Sequence, residues 1–331
     1  KAPIPMCGVP VRAVQGYVAR LLEKGYKVAI CDQVQDPAEA KGLVKREVVR
    51  VITPGTILEN EYLDAGANNY VLAVARHRES LGLAYLDLST GAFRLTEFVD
   101  PAVVAEEVLR VGPSEVVLPA SAGADDAMRP FVDRFDGGSM TYLEDRFFEA
   151  DAARRRLIDQ FGTRSLDGFG CEGLKAGVGA AGALLHYVRE TQKQKVEHIR
   201  GVETYSLGSF LQIDDLSCRN LELTTGIQSG GRKGTLIEVL DRTATAMGAR
   251  MLRHWLRYPL RDPGRITQRL DAVQEAKEAV SVRRRLRDDL GTVYDLERLG
   301  SRISMGHGNG RDLFALKRSL QALPSVLERL E

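Results

Sequence analysis

Residues Ser209–Asp262 read SFLQIDDLSCRNLELTTGIQSGGRKGTLIEVLDRTATAMGARMLRHWLRYPLRD and hold the densest run of helix signals in the chain. Side chains suited to capping a helix precede three apolar segments: Asp214, Thr235 and Thr245. The first predicted helix runs through Leu223 and ends at Thr224–Gly226, and Pro259 ends the last one. The stretch therefore predicts three successive helices.

The helix after Thr245 is predicted to be amphipathic. Apolar side chains recur at offsets of three and four on one face: Met247, Met251, Leu252, Trp255 and Leu256. Arginines share the opposite face: Arg250, Arg253 and Arg257. We therefore expect the apolar face to pack inward and the arginines to form a basic outer surface.

Composition bounds the possibilities for the whole chain. A length of 331 residues with 44% hydrophobic content suits two or three domains with cores of their own. The net charge of +1 predicts no polyanionic partner, so only a local cluster of cations could bind nucleic acid. Four scattered cysteines, Cys7, Cys31, Cys171 and Cys218, favour a reducing cytosol over a zinc site or a disulfide framework.

Targeting and boundary signals are also informative. No apolar run approaches the roughly 20 residues that a membrane span needs, and no signal-peptide pattern opens the chain. The sequence begins at Lys1 and ends at Glu331 within a helical pattern. We therefore expect it to be a piece of a longer cytoplasmic protein.

Residues 1–56 predict a small α/β unit, with a helix near Val11–Lys24 and strands in KVAICDQV and REVVRVITPGT. This segment contains nine basic and five acidic residues. The basic residues are Lys1, Arg12, Arg20, Lys24, Lys27, Lys41, Lys45, Arg46 and Arg50, and the acidic residues are Glu23, Asp32, Asp36, Glu39 and Glu47. Either a solvated face or phosphate contact explains this surplus. For Met6, packing in the core is one explanation, since methionine often fills gaps there, and contact with a binding partner is the other.

Residues 68–98 predict a β-meander with turn signals at Ser80–Gly82 and Ser89–Gly91. A helix at Pro101–Val111 and the short strand EVVLPA follow. Strands in hairpin series followed by helix, strand and helix predict a mixed sheet covered by helices.

Asp87, which lies within that meander, suggests a metal-dependent nuclease as an alternative function. RNase H-like nucleases place a metal-binding aspartate on such a strand, and Glu97 lies on the next one. Two-metal hydrolysis needs several converging carboxylates, however, and no paired acidic cluster follows at the helix that should complete the site. A single aspartate at a strand end usually forms a turn.

Two glycine-rich segments resemble nucleotide-binding motifs at first sight. The first, GFGCEGLKAGVGAAGALLHYVRETQK, has no G-x-G-x-x-G after a strand, and its second half, Ala180–Lys193, predicts a closely packed helix in which His186 packs locally. The second, Gly226–Thr235, imitates a phosphate loop, but Arg232 stands in the lysine position. We interpret it as a turn between helices.

The chain is predicted to be helical beyond Pro263. The last helix carries a leucine stripe: Leu313, Leu316, Leu320 and Leu323. Seven arginines outnumber three aspartates between 241 and 271: Arg242, Arg250, Arg253, Arg257, Arg261, Arg265 and Arg269 against Asp241, Asp262 and Asp271. This excess faces either water or the interior of a larger assembly.

The pattern T-x-x-G-x-R-x-L-R-x-W-L-x-x-P-L, from Thr245 to Leu260, closely resembles the start of the core domain of the MutS family of DNA mismatch-recognition proteins. The stretches IPMCGVP, GYKVAICDQVQDP and KGLVKREVVRVITPGT resemble the second half of the family's mismatch-binding domain. The resemblance implies a multidomain α/β plus all-α fold. Residues 1–57 would end the mismatch-binding domain, 58–200 form an RNase H-like connector, and 201–331 begin the helical core.

The resemblance also implies function. MutS proteins insert an aromatic wedge, from a phenylalanine-x-glutamate motif expected upstream of this chain, beside a mispaired base in double-stranded DNA. Met6 would then touch the DNA groove, and Lys45, Arg46 and Arg50 would contact phosphates. The connector has no nuclease activity in that family and communicates with MutL. The resemblance implies no cofactor for this chain, but ATP, Mg²⁺, homodimerisation and a nucleoid location for the whole protein. A related subfamily without the mismatch-binding domain fits less well.

Overall fold

A computed structural model describes residues 8–36, 42–133 and 139–330. Met6 and Cys7 lie outside the described residues, as do Lys41, Gly137 and Gly138. Among the described helices, none is long and apolar enough to cross a membrane.

The N-terminal unit is built from one helix and one hairpin: α1 (Val14–Glu23), β1 (Val28–Gln33) and β2 (Arg46–Ile52). The two strands pair antiparallel, and a small cluster including Val18, Leu22 and Ile52 joins them to α1. Gly25 follows the helix with a positive φ of 78°. The helix and both strands predicted from the sequence are confirmed.

The central unit is a six-stranded mixed sheet in the order β7-β6-β3-β4-β5-β8. Its strands are β3 (Val71–His77), β4 (Ser80–Asp87), β5 (Ala92–Phe98), β6 (Glu115–Pro119), β7 (Ser139–Leu143) and β8 (Glu203–Thr204). The first three pair antiparallel, whereas β6 runs parallel to β3, β7 to β6, and β8 to β5. The predicted meander and mixed sheet are confirmed; β7 was not predicted.

Helices cover both faces of this sheet: α2 (Pro101–Val111), the short α3 (Arg129–Val132), α4 (Ala150–Phe161) and α5 (Lys175–Gln192). One face and α2 share an apolar cluster, and the other face packs on α5, which is backed by α4. With both faces covered, the strands can be apolar on both sides.

Glycines let α5 approach the sheet and α4 at backbone distance. A Cβ at Gly82 would lie 2.0 Å from the carbonyl carbon of Ala176, and one at Gly182 would lie 2.3 Å from the Cβ of Ala153. The prediction of a turn at Ser80–Gly82 is therefore wrong, because Gly82 sits inside β4 for helix packing. The turn is at Arg78 and Glu79, where Arg78 has a φ of 56°.

The C-terminal part is helical, as predicted: α6 (Asp215–Asn220), α7 (Leu236–Leu240), α8 (Ala246–Arg257), α9 (Pro263–Glu278), α10 (Val280–Leu290), α11 (Leu296–Ser304) and α12 (Gly310–Glu328). The three predicted caps are confirmed, since Asp214, Thr235 and Thr245 each accept a hydrogen bond from a backbone N–H three residues on. The first helix ends at Asn220 rather than before Gly226, because the chain turns through Glu222 at a φ of 46°.

Two predicted helix faces are wrong. On α8, Arg250 is 4% exposed, whereas Met251 and Trp255 are 55% and 39% exposed. On α12, Leu313 and Leu320 of the predicted stripe are exposed. The buried side of α12 instead carries Asp312, Ser319 and Val326. Each helix therefore turns its more polar side toward the rest of the described chain.

Candidate nucleic-acid interface

The exposed end of the β1–β2 hairpin carries two of the predicted phosphate-binding residues. Lys45 precedes β2, and its Nζ lies 2.5 Å from Oε1 of Glu47, with both side chains more than half exposed. Arg46 opens β2, pairs through its backbone with Gln33, and is exposed. A surface ion pair such as Lys45–Glu47 contributes at most about 1 kcal/mol, so Lys45 can exchange its partner for a phosphate.

Arg50 is differently placed. Its guanidinium donates to both carboxylate oxygens of Glu59, at 2.7 and 3.2 Å, and its side chain is 12% exposed. Burial opposes ionisation of Glu59, but the hydrogen bonds and charge of Arg50 hold its pKa below the usual value. Arg50 therefore fastens β2 to the segment that leads out of the N-terminal unit.

Helix α1 adds a feature that the sequence reasoning missed. The guanidinium of Arg20 lies 4.5 Å from the ring centroid of Tyr17, and both residues are exposed. A tyrosine three residues before an arginine on a helix places the two side chains together, and this spacing could have revealed the pair. Lys24 and Tyr26 are exposed just beyond the helix.

A buried carboxylate fixes the N-terminal unit on the central sheet. Glu115 of β6 is fully buried and accepts hydrogen bonds from Thr53 Oγ1 at 2.5 Å and from Gly55 N at 3.2 Å. The hydroxyl of Tyr187 donates to its other oxygen, and Lys27 Nζ lies 3.3 Å away. Of the cations in the N-terminal unit, Lys27 and Arg50 are thus used internally.

The nuclease candidate Asp87 is a structural residue. It accepts hydrogen bonds from Asn68 Nδ2 at 2.8 Å, from Asn69 N, and from the backbone and hydroxyl of Ser89. Glu97 lies at the other end of the ladder, where Gly82 is its partner, and caps α5 by accepting from Ala176 N and Gly177 N.

Within the described part of the chain, neither a metal-binding cluster nor a nucleotide loop completes an enzymatic site. The described residues contain no group of three or more His, Cys, Asp or Glu side chains suited to a metal. Gly226–Thr235 forms a turn closed by the hydrogen bond from Gly226 N to Gly231 O, and the following helix α7 has five residues. The nuclease alternative is therefore unsupported, and Gly226–Thr235 is a turn between helices, as predicted.

Arginines of α8 and α11 join the helical part to the central sheet. Arg250 links α8 to the start of α11 by donating to both oxygens of Asp295 at 2.7 and 2.8 Å and to Glu297 at 2.6 Å, and it reaches the segment before the sheet by donating to the carbonyl of Ala65 at 3.1 Å. Arg257 donates to the carbonyls that end α2, those of residues 110 and 111. Arg298 bonds Ser89 Oγ and two loop carbonyls. These contacts explain why the arginine face of α8 is the inner one: a guanidinium satisfies carbonyl acceptors that an apolar side chain would leave unpaired.

Comparison with known families matches the chain in three consecutive parts. Residues 1–61 match the model of MutS domain I, residues 69–200 that of MutS domain II, and residues 217–331 that of MutS domain III. The three matches follow one another in the order in which the three structural units occur along the chain.

Individual proteins that resemble this chain point to the same family as the domain models. The chain is 52% identical over 329 residues to the DNA mismatch repair protein MutS of Desulfosudis oleivorans, covering 99% of this chain and 37% of that protein. It is 53% identical over 328 residues to the protein of the same name from Desulfatibacillum aliphaticivorans, covering 98% and 36%. The corresponding protein of Symbiobacterium thermophilum is 46% identical over 331 residues, covering 99% and 38%. The chain thus spans somewhat over a third of the length of these relatives. With all three domain models matched in order, the chain belongs to the MutS family.

Proposed function

We propose that the protein recognises mismatched double-stranded DNA in mismatch repair. The observation that carries this proposal is the ordered match to MutS domains I, II and III, together with about 50% identity to bacterial MutS proteins. We place the domain boundaries at 1–57, 58–200 and 201–331. The whole protein would act as a dimer in the bacterial cytoplasm, at the nucleoid, and use ATP with Mg²⁺.

The contribution of the N-terminal unit is proposed to be contact with the DNA backbone. Lys45 and Arg46 are exposed at the end of the hairpin, so phosphates can reach them. Arg50 would act mainly through Glu59, by holding the strand that presents Arg46. Met6, expected as an apolar groove contact, lies outside the described residues.

The central unit is proposed to be an RNase H-like connector that carries the signal to MutL. Three antiparallel strands, β3–β5, followed by β6 and β7 parallel to the first of them, are the arrangement expected of that fold. Asp87 and Glu97 are committed to a turn and a helix cap, so we expect a scaffold without nuclease activity.

Fluorescence anisotropy with matched and mismatched duplexes tests the backbone contacts. We expect weak, salt-sensitive binding by this chain with little preference between the duplexes, because phosphate contacts carry no sequence information. Changing Lys45→Gln together with Arg46→Gln should flatten the plot of log affinity against log salt by about 0.9 for each phosphate that the variant no longer neutralises.

The control removes the same charge from an exposed site elsewhere: Lys317→Gln with Arg318→Gln on α12. Equal loss of affinity in both double variants would show that binding follows net charge rather than the hairpin. A clear preference for the mismatched duplex would place the mismatch reader, and not only backbone contacts, within this chain.

A further inference from the structure

A cavity of about 200 Å³ lies at the seam between the sheet unit and the helices, where the C-terminal end of α2 meets α8. Its walls carry four arginine side chains, Arg110, Arg250, Arg253 and Arg257, together with His254. Among the described residues, no aspartate or glutamate lines it. A cavity of this size is below the range of about 300 to 1,000 Å³ that usually holds drug-sized ligands.

Two of these arginines are neutralised from outside the cavity. Arg110 lies 3.1 Å from Glu107, and Arg250 is held by Asp295 and Glu297. Arg257 instead donates to the carbonyls at the end of α2 and to Thr224, all of them uncharged groups.

Arg253 is the least compensated of the four. The nearest carboxylate oxygen paired with it, from Asp64, is 3.9 Å away, and the Asp64 side chain is 66% exposed. The Arg253 Nε atom is buried and makes no hydrogen bond within the described chain. The side chain of Arg253 is itself only 18% exposed. A buried donor without a partner destabilises the folded chain, so this group is suited to a ligand that accepts hydrogen bonds.

The titration of the lining groups agrees with an excess of positive charge. Burial, followed by the charge of Arg257, lowers the pKa of Arg253. Burial and the charges of Arg94, Arg269 and Arg257 lower the pKa of His254 to about 4. His254 is therefore neutral at pH 7, and the surplus resides on the guanidinium groups.

We propose that this cavity is a binding site for a phosphate-sized oxyanion, with Arg253 and Arg257 as its principal donors. Two guanidinium groups offer planar, paired N–H donors that match the oxygens of a phosphate better than a spherical halide. A dianion would also balance the charge of Arg257 and that of Arg253, whose one recorded carboxylate partner among the described residues is the exposed Asp64, 3.9 Å away. A cavity of about 200 Å³ is too small for a DNA duplex, so the shared chemistry is that of free phosphate or of a small phosphate monoester.

The bound anion would join two structural units. Arg253 and Arg257 belong to α8, whereas Arg110 and Gly112 belong to the end of α2. A ligand that binds only the closed seam stabilises that arrangement by mass action. Phosphate should therefore raise the stability of the junction between the sheet unit and the helices in proportion to its occupancy.

Isothermal titration calorimetry of the 331-residue chain with inorganic phosphate, at ionic strength held constant with sodium chloride, tests the proposal. We expect saturable one-site binding, competition by sulfate, and a loss of about 10-fold or more in Arg253→Gln, as for the removal of one charged hydrogen bond. Arg253→Lys, which keeps the charge without the planar fork, should lose less.

Arg284→Gln is the matched control, since Arg284 is an exposed arginine on α10, and it should bind phosphate as the wild type does. Adenosine monophosphate separates the two ligand sources: equal binding indicates a monoester site, and no binding indicates free phosphate. Absence of saturation in the wild type overturns the proposal. So does equal phosphate affinity in wild type and folded Arg253→Gln. Should Arg253→Gln fail to fold, the wild-type titration and Arg253→Lys decide.

Discussion

The central sheet unit buries the apolar side chains that its sequence pattern marks, whereas the C-terminal helices α8 and α12 expose several of theirs. Leu83 of β4 and Leu184 of α5 are fully buried. Met251 of α8 and Leu320 of α12 are more than half exposed, while Arg250 and Ser319, the residues directly before them, are buried. The same rule of apolar periodicity therefore identifies the interior of one region and the exterior of the other.

The difference follows from how many faces each element buries. A strand of the sheet is covered by α2 on one side and α5 on the other, so its apolar residues are buried whichever way they point. Helices α8 and α12 bury few residues in the described chain, and periodicity shows which residues share a face without showing what that face meets. At α8 the neighbours are carbonyl and carboxylate oxygens, which select arginine.

Replacing Arg250 should have the largest effect. Arg250→Met leaves Asp295 without its bidentate partner, and removing one member of a buried ion pair costs about 3–5 kcal/mol. The neighbouring change Met251→Ala should cost less than about 0.5 kcal/mol, because Met251 is exposed. Urea unfolding of both variants measures the contrast. If Met251→Ala lowered the free energy of unfolding more than Arg250→Met, the apolar face of α8 would be the inner one, as the sequence predicted.

Two glycines, Gly82 in the sheet and Gly300 in a helix, should respond in opposite directions to substitution by alanine. Gly82→Ala drives a methyl group into the backbone at Ala176 and should cost about 3 kcal/mol. Gly300 lies inside α11 with open space around its missing Cβ, so Gly300→Ala should stabilise by about 0.5–1 kcal/mol through helix propensity. Thermal unfolding distinguishes the two signs. If both changes are neutral, the backbone contact between β4 and α5 is looser than the structure shows.

Local signals were predictable from the sequence because local chemistry decides them. Thr245 caps α8 as expected, since a hydroxyl three residues before a free N–H satisfies that donor in any tertiary setting. The β-meander followed equally from alternation and turns. Gly82 misled the turn prediction because a glycine that admits a helix looks the same in sequence as a glycine that makes a turn.

The candidate interface was predictable only in part, and for a tertiary reason. Lys45 and Arg46 lie exposed at the hairpin, as a phosphate-binding role requires. The basic surplus could not reveal that Arg50 pairs with Glu59, or that Lys27 lies beside Glu115, 88 positions away in the sequence (115 minus 27). Counting charges identifies the cations of a segment, whereas only the fold shows which of them remain accessible.

Acid should weaken the contact between α8 and the start of α11 through Asp295. Burial opposes its ionisation, but the hydrogen bonds and charge of Arg250 hold its pKa below the ordinary value of 3.8. The folded state therefore binds this proton less readily than the unfolded state, and the stabilisation is complete above the unfolded pKa. It is lost as pH falls below 3.8 through the folded-state pKa. Urea midpoints at decreasing pH should fall less steeply in Arg250→Met, and equal slopes in both proteins would contradict this assignment.

The smallest expected effect is on the exposed stripe of α12. Leu320 is 52% exposed, so Leu320→Gln should change the free energy of unfolding by less than about 0.5 kcal/mol. Val326 on the same helix is 8% exposed, and Val326→Gln should cost several times more, because it puts an amide in place of a buried apolar side chain. Urea unfolding of the two variants decides which face of α12 is inside. A larger cost for Leu320→Gln would mean that the leucine stripe, and not the side with Ser319, packs against the chain in solution, and equal costs would contradict the expected difference.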